Sequence, residues 1–118
     1  MAELVACLGT GKGTWGHVAK LINDEEWDNI FLIAHEFAKE KFSCEKKFEF
    51  VIINPDKFLP ELIEDVKNGL KGRIKGTEAG VNLVSGSGKE HMAVISALLK
   101  LGLGIRLVAV TTKGVKEV

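Results

Sequence analysis

The 118-residue sequence has only two cysteines, Cys7 and Cys44, and no net charge. Two cysteines without the spacing of metal ligands provide neither a disulfide framework nor a zinc site, which favours a reducing compartment and two ordinary thiols. Because 16 basic side chains balance 16 acidic ones, no overall field attracts duplex nucleic acid or a membrane surface. We therefore expect neither as a partner, and any anion must be bound by local geometry.

Long apolar runs are also missing. No segment approaches the roughly 18 apolar residues of a membrane span, and the N-terminus has no basic region that leads into an apolar stretch. We therefore expect a soluble, cytoplasmic protein. Hydrophobic residues make up 46% of the chain, which is enough to bury one core, whereas 118 residues are too few for two ordinary domains. We predict a single domain over residues 1–118.

Short apolar runs alternate with helical patterns along the chain. The runs at 4–8, 29–34, 48–53, 81–84 and 105–110 are typical of strands that are buried on both faces. Apolar residues recur at helical spacing in the intervening segments, at 15–22, 34–42, 59–70 and 92–99. This alternation predicts an α/β fold, a Rossmann-like three-layer sandwich of five mainly parallel strands in the order 3-2-1-4-5, with helices on both faces.

Two glycine-rich loops follow the first and fourth predicted strands, at residues 9–16 (GTGKGTWG) and 85–89 (SGSGK). In the predicted order these strands are neighbours, and a crevice opens at their C-terminal ends. Glycine lets backbone N–H groups surround an anion, and each loop opens a helix whose N-terminus carries partial positive charge. The side chains of Lys12 and Lys89 and the hydroxyl groups of Thr10, Ser85 and Ser87 would complete a phosphate cradle.

Other polar residues follow the remaining strands. His35 follows the second strand, Asn54 the third and residues 111–113 the fifth. His17 and His91 lie in the first turns of two helices, where each is a hydrogen-bonding group for a base or sugar or else a plain surface histidine. The predicted ligand-binding residues are Gly9, Thr10, Gly11, Lys12, Gly13, His35, Ser85, Gly86, Ser87, Gly88, Lys89 and His91.

The first glycine loop also fits a dinucleotide-binding motif. Gly11, Gly13 and Gly16 match G-x-G-x-x-G, and Glu36 lies 20 residues beyond, where a ribose-binding acid is expected. The bulk of Trp15 and the lack of room for a substrate domain argue against this reading. Neither loop is a P-loop, because the Gly-Lys pair at 88–89 is followed by glutamate instead of serine or threonine. A further alternative is an interaction domain in which the glycines serve only as turns.

The stretch at 81–93 (VNLVSGSGKEHMA) resembles the signature of CARF domains, the CRISPR-associated Rossmann fold. In that family a strand ends in a hydroxyl- and glycine-rich loop that carries a lysine, and a helix with a methionine follows. The first glycine loop matches the second half of the CARF site, and the alternation of strands and helices spans nearly the whole chain. One departure is Gly88, which replaces the hydroxyl residue that usually precedes the lysine.

The resemblance implies a sensor of type III CRISPR antiviral defence that binds cyclic oligoadenylate as a homodimer. Residues 10–12 and 85–89 of each subunit would hold the ring phosphates. With no effector domain attached, the protein would act through a separate effector protein. The alternative within the family is a metal-independent ring nuclease, in which Lys89 stabilises the developing charge and Thr10 or Ser85 orients the phosphate. Neither reading calls for a cofactor or a metal.

Overall fold

The structure, a computed structural model, describes residues 2–118, which form one six-stranded sheet with four α-helices. A 3₁₀ turn (Lys12–Thr14) separates the first strand from the first helix. The strands are β1 (Glu3–Leu8), β2 (Ile30–Ala34), β3 (Glu49–Ile52), β4 (Glu78–Asn82), β5 (Gly104–Thr111) and β6 (Gly114–Glu117). The helices are α1 (Trp15–Asn23), α2 (Glu36–Lys41), α3 (Leu59–Leu70) and α4 (Gly88–Lys100).

The strand order is β3-β2-β1-β4-β5-β6, which confirms the predicted order of the first five strands. These five are parallel, and β6 pairs with β5 in the antiparallel direction. At its C-terminal end β1 lies between two strands, because Leu8 pairs with Ala34 of β2 and Ala6 pairs with Asn82 of β4. The chain leaves β1 and β4 at this point toward opposite faces of the sheet, so the predicted crevice is present.

Helices cover both faces of the sheet, as the alternation predicted. Alternate residues of β1 separate the core into two clusters, with Leu4 and Ala6 packed with residues of α1 and α2, and Val5 and Cys7 packed with residues of α3 and α4. Every residue of β1 and β2 is buried. The fold is therefore the predicted α/β three-layer sandwich, with β1 and β2 buried on both sides.

The predicted bounds of the fourth strand, 81–84, are wrong. The strand runs over Glu78–Asn82, and Val84 lies beyond it with 46% of its surface exposed. The early part of β4 looks unlike a strand because it contains Gly80, yet this glycine makes room for the Trp27 ring. A β-carbon at position 80 would lie 3.2 Å from Cζ3 of Trp27.

The prediction of only five strands is also wrong. Of the residues 111–113 predicted to follow the fifth strand, Thr112 and Lys113 do so as exposed residues of a turn. Thr111 ends β5, and a tight turn with Gly114 at φ +96° leads directly into β6. The Thr111 hydroxyl donates to the carbonyl of Gly114 and accepts from the backbone N–H of Lys113. Several β5 residues, including Leu107, are exposed, so this strand is not buried on both faces.

At the N-terminal edge of the sheet, the buried carboxylate of Glu3 anchors the glycine-rich connection between α3 and β4. Its Oε1 accepts from the backbone N–H groups of Lys75 (2.6 Å) and Gly76 (2.9 Å), and its Oε2 accepts from the amide of Asn29 (3.0 Å). This connection thus lies at the opposite end of the sheet from the glycine loops. No helix within residues 2–118 has the length and apolar character needed to cross a membrane.

Candidate functional site

The two glycine loops meet backbone to backbone at the C-terminal ends of β1 and β4. The backbone N–H of Gly9 donates to Oγ of Ser85 at 2.9 Å. A β-carbon at Gly9 would lie only 2.8 Å from both Cα and N of Gly86. Glycine is needed at position 9 because any side chain would separate the loops.

A cleft of about 400 Å³ lies where the loops meet. The first loop, including its 3₁₀ turn, supplies one wall. The loop after β4 and the first turn of α4 supply the other. The lining residues are Gly9, Thr10, Gly11, Gly13, Thr14, Val84, Gly86, Ser87 and Glu90. Six of these are predicted ligand-binding residues, namely Gly9, Thr10, Gly11, Gly13, Gly86 and Ser87, and ligand contact by any of them stays a prediction.

The first loop is anchored at one end and open at its tip. The indole N–H of the buried Trp15 donates to the carbonyl of Gly9 at 3.0 Å, so the bulky residue that counted against a tight turn secures this one. A β-carbon at Gly11, Gly13 or Gly16 would meet no atom within 4 Å. The backbone at the tip is therefore accessible to a ligand.

The second loop is held by its own side chains. The Ser87 hydroxyl accepts from the backbone N–H of Glu90, and the Glu90 carboxylate accepts from the backbone N–H of Ser87, which makes a capping box at the start of α4. Nε2 of His91 donates to the carbonyl of Ser85 at 2.8 Å. Gly86 has φ +100°, a conformation that favours glycine. The loop is thus held in shape by hydrogen bonds within the protein.

Neither predicted lysine lines the cleft. Nζ of Lys89 donates to the carbonyl of Pro55, after β3, at 2.8 Å, and Nζ of Lys12 lies 5.3 Å from the centroid of the Phe37 ring. Both lysines are exposed. To contact an anion in the cleft, either ammonium group would have to leave these positions.

Glu90 is a cleft residue that the sequence reasoning missed. Only 6% of its surface is exposed, and it is one of the residues that line the cleft. The cleft therefore combines open backbone in the first loop with an acidic residue on the opposite wall. The sequence does carry a signal for Glu90, because a serine followed three residues later by a glutamate is the pattern of a capping box.

The other predicted polar residues lie outside the lining of the cleft. His35 is 7% exposed, and its Nδ1 accepts from the backbone N–H of Ala38. Nε2 of His17 contacts the amide of the buried Asn82, which also donates to the carbonyl of Val108. The Asn54 side chain accepts from a backbone N–H two residues on, at Asp56. Asn82, at the end of β4, is a second polar residue that the sequence reasoning did not single out.

Ser85 is buried, with 1% of its surface exposed, and its hydroxyl is engaged by Gly9. Of the three residues predicted for a ring nuclease, only Thr10 lines the cleft. Within residues 2–118 there is no cluster of three or more histidine, cysteine or acidic side chains that would hold a metal ion.

Cys7 lies beneath the second loop. A β-carbon at Gly86 would be 3.2 Å from Cβ of Cys7. Burial raises the pKa of the Cys7 thiol to about 12, and the negative charge of Glu90 adds to the rise. The thiolate is therefore scarce at neutral pH, and Cys7 is not a nucleophile in the folded protein.

The raised pKa of Cys7 predicts a loss of stability at alkaline pH. Above pH 9.0, the ordinary value, the unfolded thiol loses its proton while the folded thiol keeps it. The folded state then binds more protons, so the unfolding free energy falls by about 1.4 kcal/mol per pH unit as the pH rises through this range. Denaturant titrations at pH 8 and pH 10.5 measure the fall, which should be clearly smaller in Cys7→Ala. An equal fall in both proteins would contradict the prediction. Cys44→Ala removes a partly buried thiol whose pKa is also raised by burial, so it should reduce the fall less than Cys7→Ala does.

Comparison with known proteins adds no identification. No protein-family model matches the chain, and a search of curated proteins finds no significant match.

Proposed function

We propose that the cleft between the two glycine loops binds the phosphates of a cyclic oligoadenylate, and that the protein is a CARF-type sensor acting as a homodimer. The observation that carries the proposal is the direct contact of the loops, in which Gly9 donates to Ser85 and touches Gly86 at the switch point between β1 and β4. Crevices at such switch points are where open α/β sheets bind ligands.

The open backbone of the first loop supplies the first contacts in this proposal. Residues 11 and 13 are glycines with free space around them, so their N–H groups can approach phosphate oxygens closely. The N-terminus of α4, a helix of 13 residues, contributes partial positive charge from the other wall, and the Glu90 carboxylate in its first turn opposes that charge. Lys12 and Lys89 flank the cleft and would rotate toward the phosphates.

The Glu90 carboxylate makes the two walls of the cleft electrostatically different. Phosphate oxygens are repelled by Glu90 and attracted by the backbone of the first loop, so they would lie toward Gly11 and Gly13. Ribose hydroxyl groups, which donate hydrogen bonds, would face Glu90. A nucleotide satisfies both walls, whereas a simple anion satisfies only one.

Binding without efficient cleavage fits the geometry better than ring-nuclease activity. The Ser85 hydroxyl is buried and holds the first loop, and Nζ of Lys89 is bonded to Pro55 instead of pointing into the cleft.

A dinucleotide-binding module also has less support. The third glycine of that motif serves close helix packing, whereas Gly16 is exposed and a β-carbon there would meet no atom within 4 Å.

The test is a titration with cyclic tetra- and hexa-adenylate in which binding is measured by thermal unfolding and by calorimetry. Ligand at a hundredfold excess over Kd should stabilise the folded protein by about 2.7 kcal/mol and raise the Tm by roughly 10 °C. Lys89→Ala should weaken binding by about tenfold or more, since contacts to a charged group are worth about 1.5–3 kcal/mol. Incubation with radiolabelled ring in EDTA would reveal linear products if the ring nuclease alternative holds.

Lys71→Ala is the matched control for this titration. Lys71 is an exposed lysine at the C-terminal end of α3, away from the cleft, so its loss should leave binding unchanged. A wild-type protein whose Tm responds to no ring size would overturn the proposal. Equal effects of the two lysine variants would remove Lys89 from the site.

A further inference from the structure

His35 carries an unused hydrogen-bond donor inside the protein. Its Nδ1 accepts from the backbone N–H of Ala38 at 3.4 Å, so in the neutral ring the proton is on Nε2. Among the described residues, Nε2 of His35 is the one buried side-chain nitrogen or oxygen atom without a hydrogen-bond partner. A buried donor without an acceptor is unfavourable, and such groups call for an explanation.

His35 is next to the first glycine loop in the sheet. Ala34 pairs with Leu8 across β2 and β1, so the next residues, His35 and Gly9, are level with each other at the ends of neighbouring strands. Gly9 is the first residue of the cleft wall. A ligand that binds at the first loop and extends toward β2 would therefore approach the position of His35.

An exposed aromatic ring borders the same place. The Phe37 ring is nearly parallel to the His35 imidazole, at an angle of 16° with centroids 5.9 Å apart, and Phe37 is 41% exposed. At a contact spacing of about 3.5 Å between the planes, this separation corresponds to a lateral offset of roughly 4.7 Å. The Trp15 ring also contacts Phe37, at 6.1 Å between centroids and 46° between planes, and the exposed 41% of Phe37 is the part that can receive a second planar group.

A positive charge completes the arrangement. Nζ of Lys12, from the tip of the first loop, lies 5.3 Å from the Phe37 centroid and 6.0 Å from that of Trp15. A ligand whose phosphate is bound by the first loop would carry its base toward these rings, with Lys12 between the two parts. The arrangement combines an aromatic surface, an in-plane donor and a nearby cation.

We propose that Phe37 and His35 form a nucleobase subsite beside the phosphate-binding cleft, a proposal that rests on the proposed function. The base stacks on the free part of the Phe37 face, and a ring nitrogen in the plane of the base, such as N1 of adenine, accepts the hydrogen bond from Nε2 of His35. The Phe37 ring shifts to admit the base, which its exposure allows. Guanine is disfavoured at this edge because its N1 carries a proton and cannot accept.

Two substitutions test the subsite without removing its framework. His35→Asn keeps a side-chain oxygen that can accept from the Ala38 N–H, because asparagine is a good N-cap, but removes the deeper donor. Phe37→Leu keeps apolar bulk and removes the aromatic face. The control is Phe58→Leu, at an exposed phenylalanine (78%) elsewhere on the surface. The probes are adenosine 5′-monophosphate and ribose 5-phosphate, which differ only by the base, titrated by calorimetry.

The wild-type protein should bind adenosine 5′-monophosphate at least tenfold more tightly than ribose 5-phosphate, since stacking of a base is worth about 1–3 kcal/mol. His35→Asn and Phe37→Leu should each lower the affinity for the nucleotide by about tenfold and leave that for ribose 5-phosphate unchanged. The ¹⁵N resonance of His35 Nε2 should shift on addition of the nucleotide alone.

Equal affinity of the wild-type protein for the two probes would overturn the subsite and leave the phosphate cleft intact. Variants that bind the nucleotide as tightly as wild type would overturn it too, because the base would then bind elsewhere. A wild-type protein that binds neither probe and no cyclic oligoadenylate would instead overturn the proposed function, and the subsite with it.

Discussion

The Gly9→Ala variant is expected to lose about 3 kcal/mol of unfolding free energy and most of its nucleotide affinity. The new β-carbon would lie 2.8 Å from two backbone atoms of Gly86, a separation that no side-chain rotation relieves. Overpacking of this kind costs about 1–3 kcal/mol and occasionally more. Relief requires the loops to move apart, which also lengthens the hydrogen bond from Gly9 to Ser85 and opens the cleft.

Gly11→Ala is the matched control for this substitution. Gly11 has an ordinary φ of −81°, and a β-carbon there meets no atom within 4 Å. Its unfolding free energy should stay within about 0.5 kcal/mol of wild type, as for other surface substitutions. Urea titrations of both variants measure the difference. If Gly9→Ala proved as stable as Gly11→Ala, the close approach of the two loops would be wrong.

The Glu3→Leu variant should lose about 4 kcal/mol of unfolding free energy, because the Glu3 carboxylate accepts from three donors at the N-terminal edge of the sheet. Its replacement leaves the backbone N–H groups of Lys75 and Gly76 and the Asn29 amide without their acceptor. Each donor left unsatisfied costs about 1–3 kcal/mol, and partial access to water lowers the sum. Burial of a leucine does not compensate, since the site is polar.

Urea titration of two further variants separates this effect from a general loss of charge. Glu3→Gln keeps one oxygen for the two backbone donors and should cost only about 1 kcal/mol. Glu40→Leu, at an exposed glutamate of α2, should leave the unfolding free energy nearly unchanged. A Glu3→Leu protein as stable as Glu40→Leu would show that the carboxylate does not anchor the connection between α3 and β4. Nucleotide binding should survive in Glu3→Gln, because the cleft lies at the other end of the sheet.

The order of the first five strands could be predicted because β1 and β2 are continuous apolar runs and the helices between strands require parallel crossovers. The bounds of β4 could not be predicted, because its strand character depends on a tertiary contact. Gly80 has a low strand propensity, yet it lies in β4 where the Trp27 ring fills the space above it. Strand β6 is short and mostly polar, and its pairing with β5 depends on a turn at Gly114.

The meeting of the two glycine loops followed from topology and composition together. The position of the lysines did not, because a sequence does not say which partner a flexible side chain takes. Lys89 bonds to Pro55, a residue that its loop approaches only in the folded sheet. The proximity of Phe37 to His35 and Lys12 likewise depends on how the chain turns after β2, which the weak helical pattern at 34–42 left open.

The hydrogen bond between Gly9 and Ser85 joins residues 76 positions apart, and this distance has a consequence for synthesis on the ribosome. The chain emerges from its N-terminus, so the first loop is made long before the second. A nascent chain that ends before β4 has one wall of the cleft and no partner for it. The complete cleft therefore exists only once nearly three quarters of the chain has emerged, and a truncated protein should show none of the proposed ligand binding instead of a part of it.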